Sequence, residues 1–210
     1  PKILPTIVIS DPELTVGLPE VITVGTGMDA FIHSLEAFSS PFYHPMSQGI
    51  ALEGMRLVNE NLPLVIADPT DIIARGHMMS AASMGAVAFQ KGLGAIHALS
   101  HPVGANYNTH HGMTNAVVMP FVLKFNRPAI ERRMEQAAAY LGIEGGFDGF
   151  YDHLMAMRES FGVPAKLNGL GVDTKQIETL AAAAIIDPCA GSNPVKLTLE
   201  AARALYEQCI

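Results

Sequence analysis

Four of the eight histidines fall within Gly92 to Pro120, GLGAIHALSHPVGANYNTHHGMTNAVVMP: His97, His101, His110 and His111. Imidazole is the commonest side-chain ligand for transition metals, and this density between glycine turns and apolar helical stretches points to a site, not to packing. Upstream, GTGMDAFIHSLEAF sets Asp29 and His33 four residues apart. On a helix that spacing puts a carboxylate and an imidazole on one face, about one turn apart and within reach of a single ion. One Asp and several His in a pocket that excludes water suit a borderline divalent cation, Fe²⁺ or Zn²⁺, with a coordination position left open for chemistry. The spacing does not choose among the four later histidines, because His97 and His101 share a helix face while His110 and His111 point in different directions.

The remaining histidines read as structural: His44 precedes Pro45, His77 is mid-helix and His153 lies far along the chain. The eleven methionines read as core filler. No GxSxG elbow, Walker loop or GxGxxG after a strand occurs, which removes the usual warrants for nucleophilic hydrolysis, NTP hydrolysis and self-contained dinucleotide binding. Cys189 and Cys209 have no CxxC spacing, so neither a disulfide framework nor a thiolate zinc site is indicated.

These residues need a scaffold, and 210 residues suffice for one large domain or two small ones. Hydrophobic residues make up 49%, charged residues 16% and mean hydropathy is +0.26, which predicts an interface beyond one isolated core. Net charge is −7 with no Lys/Arg run, so nucleic acid and anionic membrane are not expected partners. No apolar run approaches the roughly 18 residues of a membrane span, and no basic segment leads into an apolar signal core. A cytoplasmic location is the resulting expectation.

Along the chain, the β-branched run from Thr6 to Ser10 reads as one short strand whose sheet would lie outside this sequence. Helices follow. Thr26 caps one to about Phe38, Pro45 starts a second, and Asp68-Pro69 starts a third reaching about Phe89. Gly92-Leu93-Gly94 launches the His97 helix, which Gly104 should end. His111-Gly112 opens one to about Phe125, followed by separate helices from Pro128 to Leu141 and from about Phe147 to Phe161. Asp173 with Gln176 resembles a capping box for a helix to Ala184, and Thr198 caps a last one ending near Cys209. Gly142 to Gly149 marks a flexible subdomain boundary.

GTGMDAFIHSLEAF, GLGAIHALSHPVGANYNTHHGMTNAVVMP and DPCAGSNPVKLT, in this order, resemble the C-terminal metal-binding domain of the iron-containing (group III) alcohol dehydrogenases, over nearly the whole chain. The resemblance implies an all-α, multi-helix domain of the dehydroquinate synthase-like fold over residues 21–210. Residues 1–20 would be a linker and edge strand from a dinucleotide-binding domain absent from these 210 residues. It implies a metal held by Asp29, His33, His97 and His111, with His101 beside nicotinamide and substrate as a catalytic group and His110 outside the ligand set. Thr15, in DPELT, falls where some members touch the cofactor. The implied cofactors are Fe²⁺, with Zn²⁺ possible, and NAD or NADP bound mainly by the absent domain. The implied partners are an alcohol or aldehyde substrate, that domain, and further copies of the chain in a homo-oligomer. Asn106 departs from the family, which has Leu or an aromatic before Tyr107-Asn108, and this bears on substrate class. Two other readings compete. A mononuclear metallohydrolase of HD type would need an adjacent His-Asp pair, which is lacking, and a metal-stabilised interaction module would need no activity.

Overall fold

The computed structural model describes residues 5–210. Among them are eight α-helices joined by short 3-10 turns, with no strand. Residues 6–10 carry no regular secondary structure, and Ile7, Val8 and Ile9 are largely exposed. The strand expected there is therefore not formed, since an extended segment with no neighbouring strand has nothing to satisfy its backbone ladder. No helix among the described residues is long and apolar enough to cross a membrane.

The bundle is built around α1 (Glu20–Ser39), of whose 20 residues 14 are buried. It starts at Glu20, six residues before Thr26. Thr26 lies inside the helix and donates its hydroxyl to the Ile22 carbonyl at 2.8 Å, the usual way a threonine is accommodated mid-helix. Around α1 pack α2 (Pro45–Ala67), α3 (Ile72–Ala88) and α5 (His111–Leu141). Two cations close its C-terminal end: buried Lys91 donates to the carbonyls of Ala37 and Ser40 at 2.9 and 2.7 Å, and Arg133 donates to those of Phe38, Ser39 and Ser40. This is the end at which a helix dipole favours positive charge.

The start of α3 is set by Asp71, whose carboxylate accepts from Ala74 N at 2.9 Å, whereas Asp68 closes a turn by accepting from Thr70 N. Helix α4 (Ala95–Tyr107) runs through Gly104 and stops at Asn108, which takes the left-handed conformation with φ 53°. Helix α5 is one continuous element where two were expected. It carries Pro120 and Pro128 internally, and burial of its flanks against α1 and α6 (Gly146–Ser160) overrides a local penalty of about 3 kcal/mol per proline. The Gly142–Gly149 stretch is a tight connection that folds α6 back onto α5. Asp173 opens a 3-10 turn that leads into α7 (Ile177–Ile186), and Thr198 caps α8 (Leu199–Cys209) as expected. Buried Tyr206 of α8 donates to the Leu99 carbonyl at 2.6 Å, tying α8 to α4.

Helix α1 and the first turn of α5 pack backbone against backbone. A Cβ at Gly112 would lie 2.0 Å from the Gly25 carbonyl oxygen and 2.9 Å from Asp29 Cβ. Only glycine lets these helices meet. Gly112→Ala should force α5 away from α1 and cost roughly 1–3 kcal/mol, a fall in Tm of about 2–12 °C. Gly49→Ala, at an exposed helical position with no atom within 4 Å, should leave Tm unchanged or slightly raised. Thermal denaturation of both variants checks this, and equal Tm values would contradict it.

Candidate metal centre

Three helices supply the site. Helix α1 presents Asp29, His33 and Glu36 at positions i, i+4 and i+7, all on one face. Helix α4 presents His97 and, a turn later, His101, while α5 opens with His111 and places Asn115 one turn on. Asp29, His33, His97 and His111 each offer a ligand atom, and these atoms lie within 4.8 Å of one another. Asp29 sits at the middle: its Oδ1 is 3.6 Å from both His97 Nε2 and His111 Nε2, and its Oδ2 is 3.8 Å from His33 Nε2. The His33 and His97 rings stack with centroids 4.8 Å apart.

The donor set is fixed from behind. Glu36, buried among these helices, accepts from Gly94 N at 3.0 Å, Ile96 N at 2.7 Å and His97 Nδ1 at 2.6 Å. A carboxylate that already accepts two backbone donors can only accept from the ring as well, so Nδ1 carries a proton and Nε2 is the atom turned to the cluster. Asn115, fully buried, donates Nδ2 to Asp29 Oδ1 at 2.7 Å and lies 3.0 Å from His111 Nε2, while its Oδ1 finds no partner. An amide sharing its N–H groups among ligand atoms, with its oxygen orphaned, marks a centre whose polar balance is designed for a further group. One carboxylate and three imidazoles suit a divalent transition metal.

Burial disfavours charge on Asp29, but hydrogen bonding to His97 and the nearby imidazoles outweigh it and lower its pKa to about 2. Burial likewise opposes charge on His97, yet its bonds to Asp29 and Glu36 raise it to about 9. In His33 and His111 burial wins over the attraction of Asp29, and both are lowered. The cluster thus holds one carboxylate, one protonated imidazole and two neutral ones.

The four residues singled out as ligands are brought together. His101 stands beside them, its ring stacked on His111 with centroids 5.3 Å apart and its Nδ1 2.8 Å from Asp187 Oδ2. His110 caps α5 by accepting from Met113 N at 3.3 Å. Thr15 lies elsewhere: its hydroxyl donates to the Pro12 carbonyl, and it lines a cavity of about 260 Å³ that none of the cluster residues borders. His44 caps α2, and His153 pairs with Asn59 at 2.5 Å. Sequence reasoning missed Glu36 and Asn115, although the spacing from His33 to Glu36 and from His111 to Asn115 puts each on its ligand's helix face. It also gave no role to Asn193, whose Oδ1 accepts from Ala95 N at 2.9 Å and so caps α4 from 98 residues away.

A sequence profile described as "Fe-containing alcohol dehydrogenase family, C-terminal" matches residues 23–210. The chain is 39% identical to the 4-hydroxybutyrate dehydrogenase of Cupriavidus necator, over 98% of this chain and 56% of that protein. It is also 39% identical to the NAD-dependent methanol dehydrogenase of Bacillus methanolicus, over 95% of this chain and 54% of that one. The crystal structure of a 1,3-propanediol oxidoreductase matches with a TM-score of 0.94 at 31% identity, covering 99% of this chain and 56% of that one. The chain spans about half the length of these relatives.

The proton on His97 has a measurable consequence. Its pKa is raised from the ordinary 6.5 to about 9, and a cation on Nε2 must displace that proton. Cation affinity should therefore climb between about pH 7 and pH 8.5, by up to about tenfold per unit, with one proton released per ion. His33 and His111, already neutral there, add nothing. Chelator-competition titrations with Zn²⁺ check this, and an affinity flat across the window would contradict it.

Proposed function

Because the chain belongs to the iron-containing alcohol dehydrogenase family, we propose that it is the metal-binding domain of an NAD(P)-dependent alcohol dehydrogenase. Asp29, His33, His97 and His111 would hold one divalent cation, Fe²⁺ or Zn²⁺. The observation that carries this reading is the convergence of those four ligand atoms within 4.8 Å, from two helices and the first turn of a third. A cation bound there would act as a Lewis acid on an alcohol or carbonyl oxygen. The protein's own groups do the rest. Asp29 is ionised and central, Glu36 holds the His97 ring in register, and Gly112 lets His111 approach.

The relatives are named for 4-hydroxybutyrate, methanol and 1,3-propanediol, which supports a small alcohol, and the corresponding aldehyde, as substrate. One of them is named as NAD-dependent. No glycine-rich strand-to-helix turn occurs among the described residues, so the nicotinamide cofactor would be held mainly by a dinucleotide-binding domain beyond these 210 residues. The relatives' greater length supports this division. Thr15, in the 3-10 turn before α1, would be this chain's own contact to that cofactor. The exposed apolar residues Ile7, Val8, Ile9, Phe42, Tyr43 and Met46 support burial against that domain or a second copy in a homo-oligomer. The helical metallohydrolase and the inactive interaction module gain no support from the family match.

The test separates the cluster from a distant histidine. In the full-length enzyme, His97→Ala should cut bound metal to a small fraction of wild type and abolish NAD(P)-linked oxidation of primary alcohols. His153→Ala should leave both intact. Metal analysis and steady-state assays provide the readout; a His97→Ala enzyme that keeps its metal would refute the ligand assignment.

A further inference from the structure

The segment that opens with Asp187-Pro188-Cys189 meets the candidate site where Asp187 faces His101. His101 follows His97 by one turn on α4, so the two lie on the same face, and its ring meets His97 edge-on with centroids 5.8 Å apart. Its side chain is 41% exposed, which for a hinged ring leaves free rotation unless something holds it. Asp187, only 14% exposed, holds it: Oδ2 lies 2.8 Å from His101 Nδ1. The other oxygen, Oδ1, accepts from Cys189 N at 2.8 Å and closes the 3-10 turn Pro188–Ser192. That turn packs on α4, and Asn193 just beyond it bonds the first turn of α4 and the Asn126 side chain. The carboxylate is thus anchored to the same helix whose histidine it orients.

His101, Asp187 and Cys189 are also close enough to suggest a second metal site. The chemistry opposes it. Both carboxylate oxygens are already engaged, and burial, with Asp187 beside it, pushes the Cys189 thiol up to about 12, far from a thiolate.

We propose that Asp187 is the positioning residue for His101, fixing its ring and tautomer so that Nδ1 carries the proton and Nε2 keeps the lone pair. The inference rests on the dehydrogenase reading. In alcohol oxidation a bound nicotinamide would take the electron pair of the breaking C–H bond as hydride while the C=O bond forms, and His101 Nε2 would take the hydroxyl proton. The resulting imidazolium keeps its Nδ1–H on Asp187, whose negative charge stabilises it. The reverse reaction returns the same proton to the carbonyl oxygen.

An amide cannot replace this carboxylate. In Asp187→Asn the new side-chain oxygen would keep the Cys189 N–H, so its NH₂ would face His101 Nδ1 and force the ring proton onto Nε2. The substitution therefore preserves the turn and inverts the tautomer, while Asp187→Ala removes the anchor. In the full-length enzyme both should lower kcat by roughly 10²- to 10⁴-fold, with the alcohol KM little changed and bound metal at the wild-type level. In the zinc-loaded enzyme, two-bond ¹H–¹⁵N correlations should show His101 protonated at Nδ1 in the wild type and at Nε2 in Asp187→Asn. Added to His101→Ala, Asp187→Asn, which keeps the turn, should cost no more than about twofold further, because its effect runs through His101 alone. A full additional loss in the His101→Ala background, a loss of metal, or an unchanged tautomer would overturn the inference. A His101→Ala enzyme with wild-type kcat would overturn it too, but through its premise, and the tautomer measurement would still show whether Asp187 holds the ring.

Discussion

The buried carboxylate of Glu36 is the contact on which the arrangement depends. Removing a carboxylate from water costs several kcal/mol unless hydrogen bonds and partners replace the solvent. Here the replacement is complete: two backbone N–H groups at the start of α4 and the Nδ1–H of His97. The same three bonds dock α4 on α1, cap the N-terminal turn of α4 with negative charge and fix which nitrogen His97 offers to the cluster. Gly94, at that junction, leaves no space for a side chain, since a Cβ there would come within 2.9 Å of Glu36 Oε1. Position, tautomer and helix packing are one device.

The rest of the centre follows from how tightly α1 is enclosed. With its C-terminal carbonyls held by Lys91 and Arg133 and its waist pressed against Gly112, α1 presents Asp29 and His33 on a rigid face. His111 arrives at the start of α5, its backbone placed by the cap that His110 makes to Met113 N. Asn115 then links Asp29 with His111 across the two helices. A preformed donor set of this kind needs little ordering when it takes up an ion, which is what precise metal geometry requires.

Much of this was legible in the sequence, because it rests on local spacing. Asp29 and His33 announce themselves at i, i+4, and the helical character of nearly every segment follows from apolar period and capping residues. What failed to show depended on contacts across the fold. The start of α1 at Glu20, the continuity of α5 through two prolines and the run of α4 past Gly104 are all cases in which burial overrides a local stop or start signal. The β-branched run at residues 6–10 was misleading for the converse reason, since a strand exists only with a partner. Glu36 and Asn115 could have been found from helix periodicity, but the pairing of His101 with Asp187, 86 positions apart, has no local trace.

That Asp29, His33, His97 and His111 form one metal centre is the claim on which the rest stands, and anomalous scattering tests it most directly. Diffraction data from crystals of the protein as isolated, collected on both sides of the iron and zinc absorption edges, identify the ion and place it together. A single strong anomalous peak is expected at roughly 2.0–2.2 Å from one atom of each of the four residues. A peak seated instead on His101, Asp187 and Cys189, or no peak at the cluster in metal-replete protein, would contradict it.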